Sequence, residues 1–148
     1  MKYDLQECVK HTDQRGYLVE FLRRDELVDL HVPFGQIYFV TFERPGQVRG
    51  NHFHKRGSEW FGVAEGTLEV VLEDVRTKER AEFILRSDDK LFHRLTIGPY
   101  IAHAFRNMTP TAILIDYTSE QFDRQDPDRN PYILLEPLDA HAPAPEGK

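Results

Sequence analysis

A chain of 148 residues that is 40% hydrophobic, with ten Phe and six Tyr, is long enough for one packed domain and too aromatic to be disordered throughout. Its net charge of −6 argues against a broad electrostatic footprint on nucleic acid. No secretory signal segment or membrane-spanning run is expected, and the one cysteine, Cys8, fits a reducing compartment. The composition therefore predicts a cytoplasmic protein with no nucleic-acid or membrane partner.

Short segments rich in β-branched and aromatic residues follow one another along the middle of the chain. In chain order, the predicted strands cover residues 17–22, 36–43, 59–64, 67–74, 81–86, 91–97, 102–107 and 112–118. Turn dipeptides such as Pro45-Gly46 and Gly98-Pro99 separate these segments. Only residues 24–30 have helical character. Short strands separated by turns at regular spacing predict an all-β sandwich or barrel.

The C-terminal part of the chain has a different composition. Asp, Arg, Pro and Asn dominate residues 121–131, which predicts an irregular segment. Residues 123–129 within it are interpreted as a solvated cover, with closure over the open end of the domain as the alternative. Residues 139–148 offer no large apolar side chain for a core, so we expect a mobile tail there. The sequence thus predicts a single domain over residues 1–138, followed by a tail at residues 139–148.

The most informative feature is a pair of histidines at alternate positions, His52 and His54. On an extended segment such residues project to the same face of a sheet. Glu59 opens the next predicted strand and His103 lies on a distant one, so a carboxylate and a third imidazole can join the pair. A lone histidine on a strand is usually structural, whereas this set suits Zn²⁺, Fe²⁺, Ni²⁺ or Mn²⁺ with positions left open for water or substrate.

This spacing resembles the cupin family. Residues 46–66 match its first motif, Gly-x5-His-x-His-x4-Glu-x6-Gly, throughout. The second motif is matched by His103 and Asn107, although Gly98 and Tyr100 stand where Pro and Gly are usual. The resemblance implies a single-domain, all-β jelly-roll barrel of cupin type, with the candidate ligands pointing into its open end.

Further motifs resemble the cupins that act on nucleotide sugars. Asp-x-Arg-Gly at residues 13–16 and Arg-Gly-Asn-His-x-His-Lys at residues 49–55 carry pieces shared by dTDP-4-keto-6-deoxyhexose 3,4-ketoisomerases and dTDP-4-dehydrorhamnose 3,5-epimerases. The cupin domain of capsular-polysaccharide reductases is the best match across residues 34–61, without its usual reductase domain. Such domains resemble zinc-dependent epimerases, whereas the ketoisomerases are regarded as metal-free and usually lack a Glu at the position of Glu59. Glu59 therefore favours a divalent metal, with zinc first and a metal-free protein as the alternative.

The resemblance implies an isomerase acting on a nucleotide-activated 4-keto-6-deoxyhexose, an epimerase or a 3,4-ketoisomerase of surface-polysaccharide or deoxysugar biosynthesis. This chemistry requires a base near neutral pH and a group that stabilises the enediolate oxygen. In a metal-free site, His52 and His54 are the candidate acid–base residues, with His52 as the base. If His52, His54, Glu59 and His103 hold a metal, the base lies elsewhere, with Tyr38 and His93 as candidates by strand placement.

The same resemblance implies how a nucleotide-diphosphate sugar is held. Arg15 and Arg49 resemble the arginines that bind the diphosphate, since guanidinium groups suit bidentate phosphate contacts. A turn or surface ion pair is an equally weighted interpretation of both. We also expect a homodimer, because pairing of subunits protects exposed edge strands.

Several residues near these motifs are interpreted as structural. Asp13 is expected to form an Asx turn and Asn107 to make hydrogen bonds within a turn, while Trp60 is expected in the core or an interface. His11, His31 and His141 are interpreted as surface residues.

Two other functions would use the same residues. One is a metal-dependent cupin of another class, an oxygenase or a sugar-phosphate isomerase, which iron content and oxygen consumption would favour. The other is a non-catalytic cupin that binds nucleotide sugars, which tight binding without exchange of solvent protons would favour.

Overall fold

The computed structural model describes residues 1–28 and 34–138 and is built almost entirely of β-strands. The elements in chain order are β1 (Tyr3–Cys8), β2 (His11–Asp13), β3 (Gly16–Leu18), α1 (Arg24–Val28), β4 (Gln36–Phe42), β5 (Val48–Phe53), β6 (Glu59–Glu65), β7 (Thr67–Asp74), β8 (Arg80–Arg86), β9 (Phe92–Ile97), β10 (Ile101–Asn107), β11 (Ala112–Thr118) and β12 (Asn130–Pro131). The expectations for His31, His141 and the tail at 139–148 lie outside the described residues. Within the described ranges, no helix has the length and apolarity that a membrane crossing requires.

Two five-stranded antiparallel sheets form the body of the molecule. One has the order β1-β9-β6-β11-β4 and the other β12-β5-β10-β7-β8, while β2 and β3 form a separate hairpin. Neighbours in each sheet are mostly distant in the chain, as in β6 beside β11 and β5 beside β10. This wrapped connectivity confirms the predicted all-β jelly roll.

The core lies between the inner faces of the two sheets. On β7, the alternating residues Leu68, Val70 and Leu72 are all 0% exposed, as the period of two in the sequence predicts. Phe61 of β6 and Leu114 of β11 pack into the same cluster from the opposite sheet. Burial of each such side chain stabilises the fold by about 1.5–3 kcal/mol.

The predicted strands are found, although the one predicted over residues 17–22 is only the short β3, Gly16–Leu18. The strands β1, β2, β5 and β12 were not predicted. β1 is an edge strand that pairs with β9 and is largely exposed. It therefore lacks the run of apolar residues by which a strand is recognised in the sequence. β5 contains Gly50 and Asn51 at positive φ, 93° and 59°, opposite an irregularity in β10. These backbone angles suit Gly and Asn and hide the strand from propensity-based prediction.

Candidate functional site

The barrel is open at one end, where a cavity of about 880 Å³ lies between the two sheets. We call this cavity the mouth. Inward side chains of β4, β6 and β11 line one wall, and those of β5 and β10 line the other. Residues 119–129, which connect β11 to β12 and which we call the strap, complete the lining. The irregular segment that the sequence predicted over this region therefore lies at the mouth.

Three histidines meet in the mouth. His52 of β5 is the register partner of His103 of β10, and His54 follows just beyond the end of β5. Each ring offers a nitrogen such that these atoms lie within 4.8 Å of one another. The His-x-His spacing and the distant His103 are thus brought together as the sequence predicts.

The hydrogen bonds of two imidazoles set their tautomers. Nδ1 of His54 lies 2.7 Å from the backbone oxygen of Asp128, and Nδ1 of His103 lies 3.1 Å from that of Ile101. Because a carbonyl oxygen only accepts, each Nδ1 must carry the proton. The Nε2 atoms then present lone pairs toward Oε1 of Glu59, at 2.7 Å from His54 and 3.8 Å from His103.

A pair of buried carboxyl groups lies beside the histidines. Glu59 is 4% exposed and Asp116 is 1% exposed, and none of their oxygens has a well-aligned hydrogen-bond partner among the described residues. Burial raises the pKa of both groups, and the adjacent Glu59 raises that of Asp116 further. Such a pair favours a state in which one carboxyl keeps its proton.

Asp116 was not among the predicted site residues. It lies opposite Tyr38 in the register of β11 and β4, and it shares the inward face of β11 with Leu114. The sequence did contain a signal for Asp116, namely a carboxylate at an inward position of an otherwise apolar strand. Burying such a group costs free energy, so its presence there indicates a functional site.

Two imidazoles of the cluster, those of His52 and His103, have lowered pKa values. Burial, followed by the neighbouring His54, lowers the pKa of His52 to about 4. Burial lowers the pKa of His103 well below its usual value, and the two other histidines add to this effect. Both rings are therefore neutral at pH 7 and keep a lone pair for a metal ion or a proton.

The two proposed alternative bases have different positions. Tyr38 lines the mouth, and burial, with Asp116 and Glu59 nearby, raises the pKa of its hydroxyl. It is thus a neutral hydrogen-bond donor at pH 7. His93 lies on β9 opposite Glu7, with Nδ1 3.9 Å from a carboxylate oxygen of Asp89, and is not part of the lining. The structure therefore does not bring His93 to the mouth: it shares a face of β9 with Leu95 and Ile97, but it lies four residues along the strand from Ile97, the register partner of Glu59.

The two predicted phosphate-binding arginines are also separated. Arg49 lines the mouth, where its Nε donates to the carbonyl of Thr41 at 3.0 Å. Arg15 lies in the turn between β2 and β3, pairs with Asp13 and has an 85% exposed side chain. The amide of Arg15 donates to Asp13 at 2.8 Å, which confirms the Asx turn. The Arg15 side chain does not reach the mouth of its own barrel.

A third arginine, Arg129 of the strap, was missed. It lines the mouth, where its charge partly offsets the rise that burial causes in the pKa of Tyr38 and of Glu59, and adds to the lowering of the pKa of His52. Its guanidinium group lies 5.6 Å from the ring centre of Phe122. The sequence carries no signal for this placement, because it depends on the path of an irregular segment.

The remaining structural interpretations hold where the structure describes the residues. Trp60 is 2% exposed and packs against Tyr117, and His11 is exposed. Asn107 is fully buried and donates to the carbonyls of Arg44 and Thr109, so it braces a turn rather than facing the mouth.

The donor set of the mouth fits a divalent cation. Lone pairs of His54 and His103 converge on an acceptor, Glu59, whose buried oxygens lack well-aligned partners. Convergent acceptors require a proton or a cation between them. Tetrahedral zinc ligands lie roughly 3.3 Å apart. The three histidine nitrogens, within 4.8 Å of one another, and Oε1 of Glu59, 2.7 Å from His54 and 3.8 Å from His103, have spacings near this value.

The jelly roll, with histidines on two neighbouring strands at its open end, has the cupin fold. Residues 11–130 match the profile of the family described as the polysaccharide biosynthesis C-terminal domain. The chain belongs to this family.

Known proteins of similar sequence or fold agree with the sequence resemblance. The spore coat polysaccharide biosynthesis protein SpsL of Bacillus subtilis (strain 168) is 29% identical over 129 residues, which are 84% of this chain and 83% of that protein. The structure of dTDP-4-dehydrorhamnose 3,5-epimerase from Bacillus anthracis str. Ames, with TDP and PPi bound, has a TM-score of 0.76 at 21% identity, covering 91% of this chain and 87% of the epimerase. A 3,4-ketoisomerase from Helicobacter canadensis has a TM-score of 0.69 at 25% identity, covering 87% and 90% of the two chains.

Proposed function

We propose that this protein is an isomerase of a nucleotide-activated 4-keto-6-deoxyhexose, either an epimerase or a 3,4-ketoisomerase, in surface-polysaccharide or deoxysugar biosynthesis. The observation that carries the proposal is the cluster of three histidines, facing Glu59, in the mouth of the barrel. The folds of a 3,5-epimerase and a 3,4-ketoisomerase support the reaction class, and the family and the spore coat relative support the pathway.

The residues of the mouth supply the parts that this reaction needs. A proton must leave the carbon next to the keto group, and His52, neutral at pH 7, is the base that receives it in a metal-free site. The enediolate oxygen then needs a donor. Tyr38, whose raised pKa keeps its hydroxyl protonated, stabilises that charge and returns a proton.

We further propose that the mouth binds a divalent metal ion, zinc first, through His52, His54, Glu59 and His103. A bound ion would polarise the substrate carbonyl as a Lewis acid. In that state His52 holds the ion and is no longer a base. Tyr38 and Asp116 then remain on the opposite wall as the groups that can move a proton.

Two arginines support a diphosphate-containing substrate. Arg49 and Arg129 both line the mouth, so their guanidinium groups can hold a pyrophosphate while the sugar reaches the histidines. The cavity of about 880 Å³ lies within the range of small-molecule sites, which is roughly 300–1,000 Å³.

A homodimer forms part of the proposal. Ile37 and Phe39 of the edge strand β4 are 62% and 68% exposed, a surface that a second copy could cover. Arg15 can serve a mouth only in such an assembly, because its own barrel keeps it outside. The free thiol of Cys8 suits the cytoplasm, where we propose that the protein works.

The first test measures deuterium incorporation from heavy water into dTDP-4-keto-6-deoxyglucose. Wild-type protein is expected to incorporate deuterium next to the keto group, and Tyr38→Phe and His52→Asn are each expected to slow it at least about 100-fold. Tight binding of the nucleotide sugar without exchange would contradict catalysis and support a binding cupin.

The metal is tested by mass spectrometry of tag-free, chelator-free protein. Near-stoichiometric zinc is expected in wild type and in Glu65→Gln, which changes an exposed residue at the other end of β6. Zinc is expected to fall in Glu59→Gln. No metal in any sample would remove the metal proposal and leave His52 and His54 as acid–base residues, whereas iron with oxygen uptake would support an oxygenase.

A further inference from the structure

One residue of the strap contacts the histidine cluster and the chain around it. The carboxylate of Asp128 accepts hydrogen bonds from the amides of Lys55, at 2.9 and 3.0 Å, and Arg56, at 2.8 Å. Its backbone oxygen accepts from Nδ1 of His54 at 2.7 Å. The φ angle of Asp128 is +48°, which Asp tolerates better than most residues. Asp128 therefore clamps the backbone that follows His54 and binds the ring itself.

The carbonyl groups that accept from Nδ1 of His54 and from Nδ1 of His103 belong to different parts of the chain. The partner of His103 is Ile101, two residues away on the same strand, so β10 alone fixes that contact. The partner of His54 lies 74 positions along the chain, in an irregular segment. Only the position of the strap can keep this second carbonyl in place.

Glu59 competes for the same proton of His54. Its Oε1 lies 2.7 Å from Nε2, so a ring protonated on Nε2 could donate to the carboxylate instead. That tautomer would remove the Nε2 lone pair from the cluster. The Asp128 carbonyl on the other side of the ring opposes it by accepting from Nδ1.

We propose that Asp128 is a positioning residue. Its carboxylate fixes the strap to the segment after His54, and its carbonyl thereby holds His54 in the tautomer whose Nε2 faces Glu59. Ligand histidines in metal sites commonly depend on such a partner at the second nitrogen. The catalytic use of this arrangement rests on the proposed function, but the tautomer does not.

The test compares Asp128→Ala with two other strap variants. Asp128→Asn keeps an acceptor oxygen and tolerates positive φ, and Asp126→Asn removes a charge from the same strap without contacting the amides of Lys55 or Arg56. Long-range ¹H–¹⁵N correlation spectra of metal-free protein report which nitrogen of His54 carries the proton. We expect Nδ1–H in wild type, Asp128→Asn and Asp126→Asn, and a shift toward Nε2–H in Asp128→Ala.

Zinc affinity, measured by competition with a chromophoric chelator, gives a second readout. Asp128→Ala is expected to bind Zn²⁺ about 10- to 100-fold more weakly than wild type, while Asp126→Asn keeps its affinity. An unchanged His54 tautomer in Asp128→Ala would overturn the inference. If that variant does not fold, Asp128→Gly, which allows positive φ but lacks the carboxylate, replaces it under the same criteria.

The outcomes separate this inference from the proposed function. A tautomer shift in a protein that exchanges no sugar proton would leave the role of Asp128 intact and reject the isomerase. Full isomerase activity with an unshifted His54 in Asp128→Ala would reject the role of Asp128 alone.

Discussion

The two ends of the barrel interior are built from the same strands but have opposite chemistry. Within the mouth, His103 of β10 is followed two residues later by Phe105, and Asp116 of β11 is preceded by Leu114; these two apolar residues also belong to the core cluster. On β7, whose inward row ends at Leu68, the side chains are fully buried hydrocarbon. On β10 and β11 the inward row therefore changes between apolar and ionisable within two residues, whereas Leu72 of β7, the register partner of His103, is apolar.

The residues that stabilise the fold therefore differ in kind from the residues that form the candidate site. Buried hydrocarbon stabilises the molecule, whereas buried carboxyls such as Glu59 and Asp116 cost free energy when they lack good partners. The burial of hydrocarbon at the closed end offsets this cost in folding free energy. Substitutions at the two ends should accordingly affect stability and activity in opposite ways.

The largest expected effect on stability is at the closed end. Leu68→Ala should lower the free energy of unfolding by about 2–5 kcal/mol, because Leu68 is 0% exposed and the change leaves a cavity. Urea denaturation measures this loss, and activity per folded molecule should be unchanged. Leu138→Ala, at a 66% exposed position, should change stability by less than about 0.5 kcal/mol. Equal losses in the two variants would contradict the assignment of the core.

The burial of His52 in the mouth should make the free energy of unfolding depend on pH in the acid range. His52 has a pKa lowered to about 4, so between its ordinary value of 6.5 and pH 4 the unfolded chain takes up a proton that the folded protein refuses. In chelator-treated protein, this makes the folded state less stable by about 1.4 kcal/mol per pH unit, or about 3 kcal/mol in all. The stability of wild type relative to His52→Asn should fall by this amount across that range. A difference that stays constant with pH would show that His52 is not desolvated.

The sequence made much of the fold predictable. Residues 67–74 and 112–118 coincide with β7 and β11, because alternating apolar residues between turns leave few alternatives. The meeting of His52 and His103 also followed from spacing, through the cupin motif. The strand β5 was hidden by Gly50 and Asn51, whose positive φ angles serve a local irregularity rather than strand propensity.

The rest of the site depends on tertiary contacts that spacing does not encode. Arg129 and Asp128 reach the mouth because the strap crosses it, and no local pattern distinguishes them from the other charges of that segment. His93 is not at the mouth because it lies four residues along β9 from Ile97, the register partner of Glu59. Asp116 differs, since its position two residues after Leu114 on an apolar strand marked it as inward-facing.

Removing a mouth carboxyl should stabilise the protein while it harms function. Asp116 has a raised pKa, so the folded state loses stability as pH rises above the ordinary carboxyl range near 4. Asp116→Asn should therefore be more stable than wild type at pH 8 by about 1 kcal/mol or more, with the gain disappearing near pH 4. Thermal unfolding at several pH values measures it, and sugar-proton exchange should fall at least about 10-fold. A variant less stable than wild type at pH 8 would mean that Asp116 is ionised and well solvated.

The smallest expected effect is at the rim, where the strap is fastened. Arg56 and Asp126 pair at 3.0 Å, with side chains 50% and 65% exposed, so the pair contributes only about 0.2–1 kcal/mol and weakens with salt. Asp126→Asn should leave global unfolding almost unchanged. It should nevertheless speed hydrogen exchange of the Lys55 and Arg56 amides a few-fold at low salt, because these amides are covered by Asp128 of the strap. At 1 M salt the two proteins should exchange alike. Equal exchange rates at low salt would mean that Asp126 does not help to hold the strap.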